Sequence, residues 1–188
     1  MRFAVVLCCA LVLDGCLNIR TAPGTASPVS VTPSAGRGST QIFTATYEDP
    51  NGGSQIAEAT LSIMSNNVLP GSRSKWSANE CLVRYDIVSN TIWLVPNMGG
   101  TWGYHPITAG SSSTLSNSQC TVMASGSSAQ ISGNTVTVNL EVTFPAEFAG
   151  TKQLYMGSED VHGRWSAKDK QQFGSFTVAA ATSPLSRR

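Results

Sequence analysis

Ten consecutive residues, 135–144 (TVTVNLEVTF), alternate between polar and apolar side chains without a break. The apolar positions are Val136, Val138, Leu140, Val142 and Phe144. Because successive side chains of a β-strand point to opposite faces, this pattern predicts a strand with one buried face. Such a strand needs a second apolar layer, and the rest of the chain offers short alternating segments but no apolar stripe of helical period. The sequence therefore predicts an all-β sandwich with little or no helix.

Eight further segments resemble strands, and clusters of turn residues separate them. They are residues 28–34, 39–49, 56–64, 81–87, 91–97, 119–124, 152–160 and 173–179. We expect residues 65–80, 98–118 and 162–172 to be loops and residues 125–128 to be a turn. About eight or nine short antiparallel strands with such spacing are typical of a β-sandwich.

Charged residues make up 12% of the chain and the net charge is +1. No basic stripe or acidic run is present, so the electrostatic footprint of a nucleic-acid-binding protein is missing. The polar surface must instead come from Ser, Thr, Asn and Gly. This composition is common in exported β-proteins.

The N-terminus has the pattern of an export signal. One arginine precedes an apolar run, residues 3–13, which is too short to span a bilayer and suits the core of a signal peptide. The next residues, Leu13-Asp14-Gly15-Cys16, resemble the lipobox of bacterial lipoproteins, in which the cysteine is acylated after cleavage. Asp14 departs from that pattern. The alternative is an ordinary secretory signal cleaved later, after Ala26.

The cysteines predict one disulfide. Cys8 and Cys9 leave with the signal and Cys16 is lipidated or removed, so Cys81 and Cys120 remain in an oxidising compartment. Two buried free thiols are the alternative. A zinc site is disfavoured, because the two cysteines and two histidines lack zinc-ligand spacing.

Four motifs of strand and turn residues stand out along the chain: PxSVTPSAGRGSTQIFTATYEDPNG, CxxxYDxxxNTIxL, FAGTKQLYM and the final GxFTV. They resemble bacterial immunoglobulin-like modules of secreted and surface proteins. The resemblance implies an immunoglobulin-like sandwich that serves as a spacer, an adhesive unit or a domain of unknown role, and it carries no catalytic residues. Cys81 and Cys120 do not occupy the positions of the two core cysteines of antibody domains.

No constellation predicts catalysis or a cofactor. His105 and His162 lie in polar loops, and neither a nucleophile elbow nor a zinc-protease motif occurs. Glu159 and Asp160 precede His162, but neighbouring strand residues point to opposite faces. Asp49 and Asn51 are weak candidates for calcium ligands, with a plain turn as the alternative. A hydrolase is therefore a distant alternative, and we expect no enzyme.

Four loop aromatics, Trp76, Trp102, Tyr104 and Trp165, could stack on sugar rings, which makes a carbohydrate-binding module the main alternative. The expected partner is an unknown protein or glycan at the cell surface, without nucleic acid and with a membrane contact only through a lipid at Cys16. The expected organisation is a signal peptide (residues 1–15), a flexible linker (16–27), the sandwich (28–179) and a polar tail (180–188). The protein is expected to be exported and lipid-anchored, with a soluble secreted form as the alternative.

Overall fold

A computed structural model describes residues 24–65, 80–97, 105–166 and 171–180. In these residues the chain forms twelve strands and two short 3-10 turns, Gly53–Gln55 and Ala146–Phe148. The strands are β1 (Ser27–Thr32), β2 (Ala35–Gly38), β3 (Thr40–Glu48), β4 (Ile56–Ser65), β5 (Cys81–Asp86), β6 (Thr91–Leu94), β7 (Ile107–Thr108), β8 (Thr114–Ser116), β9 (Thr121–Ser132), β10 (Thr135–Thr143), β11 (Gly150–Asp160) and β12 (Gln172–Val178). The all-β prediction with little helix is confirmed.

The strands form two sheets. One has the order β1-β3-β10-β9-β8 and the other the order β2-β12-β11-β4-β5-β6-β7. In variable-type immunoglobulin domains a sheet A-B-E-D faces a sheet G-F-C-C′-C″. Here β1-β3-β10-β9 faces β12-β11-β4-β5-β6, which is the same order, so the immunoglobulin-like prediction holds for the topology.

Strand β10 lies in the middle of the five-stranded sheet, between β3 and β9. Its side chains alternate between partly exposed and buried along its whole length, as the sequence predicts. The buried face packs on the inward side chains of the seven-stranded sheet, and the two sheets share one core. The largest fully buried side chains are Tyr47, Tyr85, Phe43, Phe176, Ile56, Leu61, Ile63, Met64, Ile92, Leu140, Leu154 and Met156.

Strand β9 corrects one prediction. The Ser-Gly-Ser-Ser run at residues 125–128 is not a turn but lies within a twelve-residue strand. At this point the register with β10 shifts between Asn139 and Glu141. The Ser127 hydroxyl donates to the Met123 carbonyl and accepts the Glu141 N–H, so the serine satisfies backbone groups that the irregularity leaves unpaired. A bulge and a turn use the same residue types, which explains the error.

The expected number of strands, eight or nine, is too low. The three short strands β2, β7 and β8 each have between two and four residues, too few to show an alternating pattern. Strand β2 also departs from the prediction of antiparallel strands, because it pairs in parallel with β12. That pairing requires glycine at Gly174, where a Cβ atom would lie 2.1 Å from the Ser34 carbonyl oxygen.

The predicted disulfide is confirmed. Cys81 is the first residue of β5 and Cys120 lies directly before β9, so the bond joins the two sheets. The two Cα atoms are 5.7 Å apart, and both cysteines are fully buried. The bridge therefore differs in position from the core disulfide of antibody domains.

A buried tyrosine joins the sheets a second time. The Tyr47 hydroxyl, on β3, donates to the carbonyl of Thr60, on β4, at 2.9 Å. Burial raises the pKa of Tyr47 above its usual value, which favours the protonated hydroxyl that donates this bond. The bond is buried between the two sheets.

Replacing Tyr47 with phenylalanine is expected to lower the free energy of unfolding by about 1–3 kcal/mol, because the Thr60 carbonyl loses this donor. Urea denaturation measures the change. Tyr155→Phe is the matched control, since the Tyr155 hydroxyl makes no hydrogen bond within the described residues, and its effect should stay within about 0.5 kcal/mol. Equal losses in the two variants would contradict a role for the cross-sheet bond.

Candidate functional site

Three loops meet at one end of the sandwich. They are residues 49–55 between β3 and β4, the turn at residues 87–90 between β5 and β6, and the connection that begins at Val161 after β11. The Val161 N–H donates to the Gln55 carbonyl at 2.9 Å, which joins the first and third loops. In variable-type immunoglobulin domains the corresponding loops form the binding surface. This end is therefore where a site should be sought.

The first loop is built around Asp49, which is 1% exposed. One of its carboxylate oxygens, Oδ1, accepts the backbone N–H and the side-chain amide of Asn51, each at 2.8 Å. The Asn51 amide also donates to the Gly24 carbonyl, so the segment before β1 lies against this loop. These bonds give the Asp-Pro-Asn-Gly sequence the form of a side-chain-stabilised turn.

The third loop is organised by Asp160, whose side chain is fully buried. Its Oδ1 accepts the backbone N–H groups of His162 and Arg164, at 2.9 and 3.0 Å. Its Oδ2 accepts the Arg164 Nε–H at 2.7 Å. Burial alone would raise the pKa of Asp160, but these N–H groups and the guanidinium charge outweigh it and hold the pKa below its usual value. Asp160 therefore stays ionised and fixes the guanidinium in place.

A cleft of about 410 Å³ opens between the two loops. Asn51 and Gln55 line it from the first loop, and His162 and Arg164 line it from the third. Volumes of about 300–1,000 Å³ are typical of small-molecule sites. The cleft thus has the size and the convergent polar groups of a binding site.

The two calcium candidates, Asp49 and Asn51, lie side by side in the first loop, where the Asn51 side-chain amide donates to Asp49 Oδ1. The nearby carboxylate of Asp160, in the third loop, is paired with Arg164. Among the described residues, no three His, Cys, Asp or Glu side chains are grouped so that they could hold a metal ion. The hydrogen bonds explain Asp49 and Asn51 as turn residues.

Of the four candidate aromatics, the structure describes Trp165 alone. It lies one residue after Arg164, is partly buried, and pairs through its backbone with Glu159. Trp76, Trp102 and Tyr104 lie outside the described residues, as does the lipidation candidate Cys16. Trp165 is not among the described residues that line the cleft.

Two cleft residues, Gln55 and Arg164, were not predicted from the sequence. His162 was noted there as a solvated loop histidine, and its side chain is indeed 64% exposed. The sequence does contain one indication of Arg164: Asp160, four positions earlier at the end of a strand, is an acidic residue that could pair with it. Gln55 carries no local signal, because its role depends on a loop more than 100 residues away.

A second polar cluster lies on the outer face of the seven-stranded sheet. Glu58 and Glu159 stand opposite each other on β4 and β11, and Asp86 stands opposite Glu58 on β5. The Arg84 guanidinium pairs with Glu58 at 2.8 Å and lies 4.7 Å from the centre of the Trp93 ring. Burial is the main cause that raises the pKa of Glu58; Arg84 opposes it, and Glu159 and Asp86 add to it. The cluster therefore places three carboxyl groups side by side across the sheet, with one guanidinium to offset their charges.

Glu159→Gln is expected to lower the pKa of Glu58, because it removes one negative neighbour. In the wild type the raised pKa means that the folded protein keeps a proton that the unfolded chain has released. Stability is therefore lost as pH rises between the two pKa values. The variant should be more stable than the wild type at pH 7 by up to about 1 kcal/mol and should show a flatter dependence on pH.

NMR titration of the Glu58 carboxyl carbon measures the change in its pKa. Urea denaturation between about pH 4 and 7, roughly the range above the usual glutamate pKa, measures the change in stability and in its dependence on pH. Thr177→Ala, on the outer face of β12, is the control and should leave the Glu58 pKa unchanged. An unaltered Glu58 pKa in the glutamine variant would show that the two carboxyl groups do not interact.

None of the helical turns that the structure describes has the length and apolar character of a membrane span. No protein-family model matches the chain, and comparisons with curated proteins and with solved structures find no match either.

Proposed function

We propose that the protein is a non-catalytic, exported binding module that recognises its partner at the cell surface with the loop end of the sandwich. The observation that supports this most is the cleft between residues 49–55 and 161–164, where side chains from two loops converge. A disulfide and a buried hydrogen bond hold the sheets together behind it. A rigid scaffold that presents polar loops is how sandwich domains form binding sites.

The proposed lipid anchor bears on the position of this site. If Cys16 carries the lipid, residues 17–23 connect it to Gly24, and eight residue steps span at most about 30 Å. Gly24 lies against the loop that lines the cleft, through the Asn51 amide. The binding end would then face the anchoring membrane at short range, so its partner would be a component of the envelope.

A carbohydrate ligand is the second candidate. Arginine, histidine and the two amides of the cleft are side chains that hydrogen-bond sugar hydroxyls, and Trp165 follows Arg164 directly. A protein ligand would instead require an apolar patch of several hundred Å².

An array of glycans and peptides tests the proposal, with the mature domain as the probe. The wild type should bind a defined subset, and the double variant Gln55→Ala/Arg164→Ala should lose that signal. Glu147→Ala, exposed at the opposite end of the sandwich, is the control and should bind like the wild type. Undiminished binding by the double variant, or no binding by the wild type, would refute the proposed site.

A further inference from the structure

We propose that the cleft recognises the carboxylate of an acidic sugar, a hexuronic acid unit of a glycan. This inference rests on the proposed function and names the chemistry of the ligand. It follows from which hydrogen-bonding groups of the cleft are already used and which are not.

Arg164 is held in place and yet only partly used. Asp160 accepts both its backbone N–H and its Nε–H, so the loop and the guanidinium are fixed by the same carboxylate. Within the described residues the Nη groups make no hydrogen bond, and the side chain is 37% exposed. Because Asp160 fixes the guanidinium while its four Nη–H groups have no acceptor among the described residues, these groups can donate two parallel hydrogen bonds to a ligand carboxylate.

The side chains that line the described part of the cleft carry no negative charge. None of the four lining side chains is acidic, and Asp160, behind Arg164, is shielded with both oxygens occupied. Two further carboxylates lie close to these loops. Asp49 is buried in the first loop, and Glu159, opposite Glu58 on the sheet, has an oxygen 3.4 Å from where a Cβ atom of Gly163 would lie. Among the described lining residues, Arg164 therefore brings a positive charge to an anionic ligand group and no side chain brings a negative one.

The remaining groups suit the hydroxyls of a sugar ring. The Gln55 side chain and the Asn51 Oδ1 make no hydrogen bond within the described residues, and the His162 ring has only the distant Asp160 contact at 4.0 Å. Together they supply acceptors and donors on both sides of the guanidinium. A volume of about 410 Å³ has room for one or two sugar rings.

Isothermal titration calorimetry with three probes tests recognition of the carboxylate and recognition of the sugar ring separately. Methyl glucuronide has ring and carboxylate, methyl glucoside has the ring alone, and acetate has the carboxylate alone. The wild type is expected to bind the glucuronide at least tenfold more tightly than either of the others. Arg164→Lys keeps the charge but loses the fork, and should weaken glucuronide binding at least tenfold, while Glu147→Ala should leave it unchanged.

Equal affinity for glucoside and glucuronide, or no measurable glucuronide binding, would overturn the carboxylate assignment. Equal affinity for acetate would overturn the sugar assignment. Neither of these results would refute the proposed binding function. That function would still be supported if the array shows a non-acidic ligand that the wild type binds and the Gln55→Ala/Arg164→Ala variant does not.

Discussion

Replacing both Cys81 and Cys120 with alanine is expected to lower the free energy of unfolding by about 4 kcal/mol. The bond closes a loop across a sequence separation of 39 residues. In the chain-entropy model, a loop of about this length restricts the unfolded chain by about that amount. Alanine is the appropriate replacement, because both cysteines are fully buried and a serine would bring in a hydroxyl without a partner. Urea denaturation under non-reducing conditions measures the loss.

Reduction of the wild type provides the internal check, since the reduced protein should unfold at a urea concentration close to that of the double variant. A matched substitution of Cys81 alone should be no more stable than the double variant. If the double variant stays within about 1 kcal/mol of the oxidised wild type, the bond does not contribute as its loop length predicts.

Phe43→Ala is expected to cost about 3–5 kcal/mol, the range for removing a fully buried phenylalanine. Phe43 lies on β3, and its ring contacts Phe176 and Phe144 edge-on, at centroid distances of 5.3 and 6.4 Å. Phe43 and Phe176 lie on β3 and β12, one in each sheet, and Phe144 directly follows β10; the three rings pack where the sheets face each other. The deletion leaves a cavity that a close-packed core cannot fully close. Thermal and urea denaturation measure the loss of stability.

The neighbouring residue provides the control. Ile42 points to the outer face of the same strand and is 46% exposed, so Ile42→Ala should change the stability by no more than about 0.5 kcal/mol. A shift of one residue in the register of β3 would exchange the two side chains between core and solvent. A larger loss for Ile42→Ala than for Phe43→Ala would therefore show that the register of β3 is wrong.

The sequence was sufficient for the features that local pattern controls. The alternation in β10 predicts its length, its buried face and the need for a second sheet, because side-chain direction has a strict period of two. The disulfide was predicted by counting the cysteines that remain after an expected export signal. Both predictions could be made from residue types and their order in the sequence, without knowing which strands pair.

Features set by pairing between strands could not be predicted in this way. The bulge of β9 at Ser127 and the parallel docking of β2 beside Gly174 depend on which backbone groups a neighbouring strand presents. The cleft is a similar case. Asn51 and Arg164 are more than 100 positions apart, and only the folded order of the strands brings their loops together. Their side chains carry no motif.

NMR mapping of backbone amides during titration with methyl glucuronide tests the binding end of the sandwich most directly. The account predicts that the shifted amides cluster in residues 49–55 and 161–164, on either side of the cleft. Shifts centred instead on the turn at Ala146–Phe148, at the far end, or on the outer face of β10, would contradict it.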